Sequence, residues 1–273
     1  LLGAWHYRLA YDLVQAAGRS IPWLAAIVLA AANGLLFWWL SAEQFSIPVG
    51  GEDYLPVLLL VWAPLSALFV LALLVAGGLR RIKLALVLGV AVLALCLYPL
   101  WAHTLIGDLT LQRHYLDQMA LHLALLAWAT VGIFVLRGCG DTPNRFAFLI
   151  KSLEIFIMAG LFAIAGIIFS AITAGLFEAL AVTLPDVVMR LLMAGGAGLI
   201  PVLAVAIIYD PPVAPAAQSF DEGLSKIIAT LMRVLLPLTL LVLLVYLAFI
   251  PFRFWEPFQC RSTRSSRRSC CAG

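Results

Sequence analysis

Apolar residues fall in seven long blocks along this chain, separated by short polar segments. The blocks cover approximately residues 21–41, 55–78, 84–106, 119–136, 153–177, 187–208 and 234–252. A hydrocarbon core of about 30 Å needs about 20 apolar residues per helix, which is close to the length of each block. No alternating barrel pattern is present, and an isolated strand cannot satisfy its backbone in lipid. The pattern therefore predicts an all-α fold: a polytopic transmembrane helix bundle of about seven spans. Trp23, Trp38, Trp39, Trp101 and Trp255 lie near block ends, where amphipathic rings settle at the lipid–water boundary. Pro64, Pro99 and Pro201 lie inside blocks and are expected to bend them, because each removes a backbone donor.

Small residues inside the blocks predict close helix packing. Gly166, Ser170 and Ala174 recur every four residues, and Gly195, Gly196 and Gly198 cluster in the sixth block. Such residues let helix backbones approach one another. Asn33 is a lone amide in the first block and is expected to hydrogen-bond to a neighbouring helix. No internal repeat is evident, so the inverted-repeat signature of many transporters is missing from the sequence.

The segment from Ser219 to Leu247 carries Arg233 within what first reads as one span. Ser219 and Glu222 have the spacing of a capping box, which places a helix start near Phe220. From there Phe220, Leu224, Ile227, Ile228 and Leu231 share one helical face, opposite Glu222, Lys226 and Arg233. That is the pattern of an amphipathic interfacial helix over 220–233, with Lys226 and Arg233 as anchors that reach the headgroups. The span proper then follows over 234–252, with a bend expected at Pro237. A second amphipathic interfacial helix is expected over residues 1–20, so the transmembrane domain occupies 21–258. The sequence opens without Met and without a signal-peptide pattern, as expected of a piece cut from a longer chain.

Composition narrows the class further. Of 273 residues, 64% are hydrophobic and 11% charged, against about 25% charged in soluble domains. The lipid bilayer is therefore the expected partner, with other membrane proteins beside it. A net charge of +3 with no basic stripe argues against nucleic acid. Lys and Arg set the orientation. With the N-terminus cytoplasmic, ten of them (Arg8, Arg19, Arg80, Arg81, Lys83, Arg137, Arg145, Lys151, Lys226 and Arg233) fall on the cytoplasmic side. Arg113 and Arg190 fall opposite, together with five beyond the last span. The segment 259–273 breaks from this pattern. It is a basic, aperiodic tail, expected to be disordered; one reading binds it to anionic lipid, and the other takes it as foreign to the fold, because including it weakens the charge bias. The five cysteines have no paired spacing: Cys96 is expected to pack in a span, and Cys139 lies in a loop.

Candidate chemistry is sparse. If 108–125 is helical, His114, Asp117, Gln118 and His122 share one face, a spacing suited to a divalent ion or a proton relay. Two histidines and one aspartate fall one ligand short of a closed metal site, and the ordinary reading is a polar helix entry facing water. Glu178 and Arg190, near the outer ends of the fifth and sixth blocks, are expected to pair across a hairpin; Lys151 and Glu154 are expected to form an interfacial pair. No phosphate-binding loop, dinucleotide fingerprint or nucleophile elbow occurs, so no cofactor and no catalytic residue is assigned.

The stretches "YDPPVAP" and "SKIIATLMRVLLPLTLLVLLVYLAF" carry a resemblance. Lys226, then Leu235-Leu236-Pro237-Leu238, then Tyr246 is similar to the pattern in a bacterial polytopic inner-membrane family, domain of unknown function four-one-five-three. The resemblance implies a bacterial inner-membrane location, assigns no activity and transfers no catalytic residue. The expected function is that of a structural or regulatory membrane component. The alternatives are a secondary transporter or channel-like permease, and a membrane-embedded enzyme acting on lipid.

Overall fold

The computed structural model describes residues 22–50, 53–79, 81–138, 140–179, 185–218 and 223–253. The expected helix over 1–20, the capping pair Ser219 and Glu222, Cys139 and the 259–273 tail lie outside the described residues. The helices in chain order are α1 (Trp23–Leu40), α2 (Val57–Ala76), α3 (Ile82–Ala102), α4 (Leu109–Leu136), α5 (Thr142–Ala179), α6 (Asp186–Ile208) and α7 (Gly223–Arg253). Among the described residues, α1 to α6 are each long and apolar enough to cross a membrane, and α7 adds an apolar stretch over Leu235–Leu247. The molecule is an all-α helical bundle of a polytopic membrane protein. Helices answer the physical demand here, because each closes its own backbone hydrogen bonds within the segment.

Several boundaries differ from those expected. The fourth and fifth helices begin at Leu109 and Thr142, roughly ten residues before their apolar blocks. Apolar counting detects only the lipid-compatible part of a helix, and the polar opening turns are helical too. The start of α4 is fixed by Asp108, whose side chain accepts from the backbone N–H groups of Thr110 and Leu111. The helix formed by α7 runs on through Arg233 and Pro237, joining the amphipathic stretch and the span. Helical assignment likewise continues through Pro64, Pro99 and Pro201. The first half of α6 contains one π-helical turn, Leu191–Gly195.

An element the block pattern passed over is a β-hairpin between α1 and α2. Its strands, β1 (Ser46–Gly50) and β2 (Asp53–Pro56), pair antiparallel with Ile47 opposite Leu55. Ile47 is buried against Leu60, Val61, Leu116 and Leu123, so the hairpin plugs one end of a helix core.

The chain divides into two compact units. The first comprises residues 1–159 and 194–221, the second 160–193 and 222–273. In the first unit α2 is central and supplies residues to three apolar clusters. Leu60 and Val61 pack with Cys96, Leu116 and Leu123; Val70, Leu71 and Leu74 with Phe134, Val135 and Phe148; Leu73 with Ala26, Ala30, Val202 and Ala206. By contrast α3 exposes a stripe of large apolar side chains, Leu86, Val90, Leu93 and Leu97. These recur at three- and four-residue spacing, as a lipid-facing helix surface requires. The second unit contains the later part of α5, the start of α6 and α7. There Phe169, Ser170, Thr173 and Phe177 form one buried stripe along α5.

Two loop clusters mark the ends of the first unit. At one end Arg81 donates to the Phe134 carbonyl (3.1 Å), and the Ala216 N–H donates to Asn144 Oδ1 (2.9 Å). The connections after α2, α4 and α6 therefore meet there. Gly78 and Gly138 occupy the left-handed region (φ 118° and 88°) just past the ends of α2 and α4. That conformation favours glycine and closes a helix C-terminus. At the other end lie the hairpin and the α3–α4 connection, where Gln112 Nε2 donates to the His103 carbonyl (3.3 Å).

Candidate functional site

The residues singled out by spacing can now be placed. His114, Asp117, Gln118 and His122 all lie on α4 and are exposed. His122 Nδ1 lies 2.7 Å from the carbonyl oxygen of Gln118, so its ring is tied to its own helix. Among the described residues, no three His, Cys, Asp or Glu side chains gather closely enough to hold a metal ion. Glu178 is exposed near the end of α5, and Arg190 is half-buried in α6. Both belong to the second unit. Arg233 is exposed on α7; of Lys226 only the backbone is described. Lys151 and Glu154 form the expected ion pair (2.8 Å), with Lys151 buried.

A buried polar node lies at the centre of the first unit, where α1, α2 and α6 meet. Asn33 is fully buried, and its Nδ2 donates to the Gly198 carbonyl (2.7 Å) and to Ser66 Oγ (3.3 Å). The expectation for Asn33 is met. The α1–α6 approach is close because both faces lack side chains. A Cβ on Gly198 would lie 2.8 Å from the Gly34 Cα and 2.9 Å from the Asn33 carbonyl oxygen; one on Gly34 would lie 2.8 Å from the Gly195 carbonyl oxygen. Gly195 and Gly198 thus do what their clustering predicts, whereas a Cβ on Gly196 or Gly166 would meet no atom of the described residues within 4 Å. Sequence reading overlooked Gly34, although it directly follows Asn33. Asn33 Oδ1 has no hydrogen-bond partner among the described residues.

The ends of the first unit differ in charge. Among described side chains, the end formed by the α2–α3, α4–α5 and post-α6 connections carries Arg81, Lys83, Arg137, Arg145 and Lys151, beside Asp141, Glu154 and Asp210. The hairpin end carries Arg113 and His103 beside Glu43, Asp108 and Asp117. At the basic end two open clefts share Arg137 as a lining residue. One, of about 840 Å³, is lined by Arg81, Lys83, Leu84, Val87 and Gly138. The other, of about 580 Å³, is lined by Arg145 and by an apolar wall that includes Trp128, Gly132, Ile133, Phe148 and Leu149. Trp128 stacks on Phe148 (centroids 5.8 Å apart, planes at 24°) and donates through Nε1 to Ser152 Oγ (3.1 Å). A Cβ on Gly132 would lie 3.0 Å from the Phe148 ring, which seats that ring against α4.

Together the fold and these features define a polytopic α-helical membrane protein whose first unit has a packed polar node and one basic end. No protein-family model, curated protein or solved structure matches the chain.

Proposed function

We propose that the protein is a structural or regulatory component of a bacterial inner membrane, acting through partner proteins or lipids, with its N-terminus cytoplasmic. The observation that carries this reading is the packed centre of the first unit. Helices α1 and α6 approach until glycine backbones touch, and the Asn33 amide bonds to Gly198 of α6 and Ser66 of α2. Thr130 and Thr173 bond to the Leu126 and Phe169 carbonyls of their own helices, and Ser152 accepts from Trp128 of α4. Such a centre suits a rigid scaffold better than a solute path. The basic end supports the orientation, since Lys and Arg concentrate on the cytoplasmic side. The pattern around Lys226, Pro237 and Tyr246 supports membership of the family of unknown function named above.

A secondary transporter is the second reading. Two observations favour it: the π-helical turn at Leu191–Gly195, a feature that recurs at functional sites, and Asn33 Oδ1, which has no hydrogen-bond partner among the described residues. Reconstitution separates the two readings. Vesicles containing the protein are expected to pass protons and monovalent ions no faster than empty vesicles under an imposed gradient. Gradient-driven flux that disappears in an Asn33→Ala variant would replace the scaffold reading with the permease reading.

A further inference from the structure

We propose that the basic end of the first unit binds an anionic phospholipid, with the headgroup phosphate in the Arg81–Lys83–Arg137 cleft and an acyl chain along the Trp128–Phe148 wall. The first support is the charge. Arg81, Lys83 and Arg137 line one cleft with no acidic residue among the lining side chains. Arg145 adds a further cation in the adjoining cleft. The nearby Asp141 lines neither cleft, and its Oδ1 accepts from Asn144 Nδ2 (2.6 Å).

The second support is how these donors are held. Arg81 spends one contact on the Phe134 carbonyl, in the last turn of α4, which fixes its guanidinium near the C-terminus of that helix. Its remaining N–H groups make no bond among the described residues and can serve a ligand. Among the described residues, Lys83 and Arg137 have no acidic partner. Arg81 is also the residue preceding α3, and its side chain does not cap that helix. The opening N–H groups of α3 therefore add donors beside the same cations, an arrangement that favours phosphate.

The third support is the adjoining wall. A free anion needs no apolar surface, yet Arg137 also borders a cleft walled by Trp128, Ile133, Phe148 and Leu149. Polar headgroup contacts that lead directly onto an aromatic and aliphatic slot match a phospholipid at the boundary of the hydrocarbon. Basic pockets between transmembrane helices on the cytoplasmic side recognise anionic headgroups in this way.

The test uses the full chain in detergent, titrated with phosphatidylglycerol, phosphatidylcholine, glycerol phosphate or inorganic phosphate, and the bound molecules counted by native mass spectrometry. Phosphatidylglycerol is expected to be retained in preference to phosphatidylcholine. Each interfacial cation contributes about fivefold to such binding, so Lys83→Gln with Arg137→Gln should weaken it about 25-fold. Arg113→Gln, at the opposite end of α4, should leave it unchanged. Ala129→Trp, which fills the apolar cleft, should weaken phosphatidylglycerol binding without affecting binding of glycerol phosphate. Equal retention of both lipids, or equal losses in the Arg113 and cleft variants, overturns the proposal. Competition by inorganic phosphate at the same concentration as the lipid would assign the cleft to a free anion instead. Among the described residues neither the Lys83 nor the Arg137 side chain makes a hydrogen bond or ion pair within the chain, and unchanged thermal unfolding checks that the fold is kept.

Discussion

Gly198 and Gly166 sit in similar small-residue patterns, but their surroundings differ. At Gly198 a methyl group would press into the Gly34 Cα and the Asn33 carbonyl, both backbone atoms that cannot swing aside. Gly198→Ala is therefore expected to cost about 1–3 kcal/mol, the range for overpacking a close-packed site. Gly166→Ala meets no atom of the described residues within 4 Å and should hold or raise stability, since alanine suits a helix better. Thermal unfolding in detergent compares the two; equal losses would remove the distinction. The amide of Asn33 was legible as a helix-to-helix donor because a polar group in lipid must find a partner. Its actual acceptors, Ser66 and Gly198, were not legible. They lie 33 and 165 residues away, and nothing in local spacing links them.

Among the elements, α4 shows where reading by hydrophobicity stops. Its apolar block begins near 119, yet the helix starts at Leu109, because Asp108 supplies acceptors for two otherwise unpaired N–H groups. Asp108→Ala is expected to destabilise this start by about 1 kcal/mol. The change should appear as faster hydrogen exchange at Thr110 and Leu111, with the amides near Phe134 unaffected; unchanged exchange at Thr110 would mean that the cap does not hold the helix. His114, Asp117 and His122 share a helix, as their spacing required, but no neighbouring helix brings a ligand to complete a metal set among the described residues. The hairpin had a signal of its own. Ile47 and Leu55 flank a segment containing Gly50-Gly51-Glu52-Asp53, a short turn signature between alternating residues. Its strands of four and five residues are far shorter than the lipid-crossing blocks that dominate the pattern around them.

For the whole molecule, orientation is the property most open to direct measurement. Single cysteines introduced on a cysteine-free background report which side each position faces. A cysteine at Thr142, at the basic end, is expected to react with an impermeant maleimide only from the cytoplasm, and one at Thr104 only from the opposite face. A cysteine at Arg233 should react from the cytoplasm, as an interfacial anchor requires; protection from both aqueous phases would place that charge inside the membrane instead. Sequence alone determined that the chain enters a membrane and does so as helices, because both follow from solvent preference and backbone satisfaction, which act segment by segment. It also located the basic connections, since charge is a property of each residue. Only the tertiary structure decided which helices touch, where an amide is buried, and that Arg81, Lys83 and Arg137 share one cleft. Those outcomes depend on contacts between residues far apart in the chain, and apolar segments of similar length and composition leave the choice of neighbours to shape, glycine by glycine.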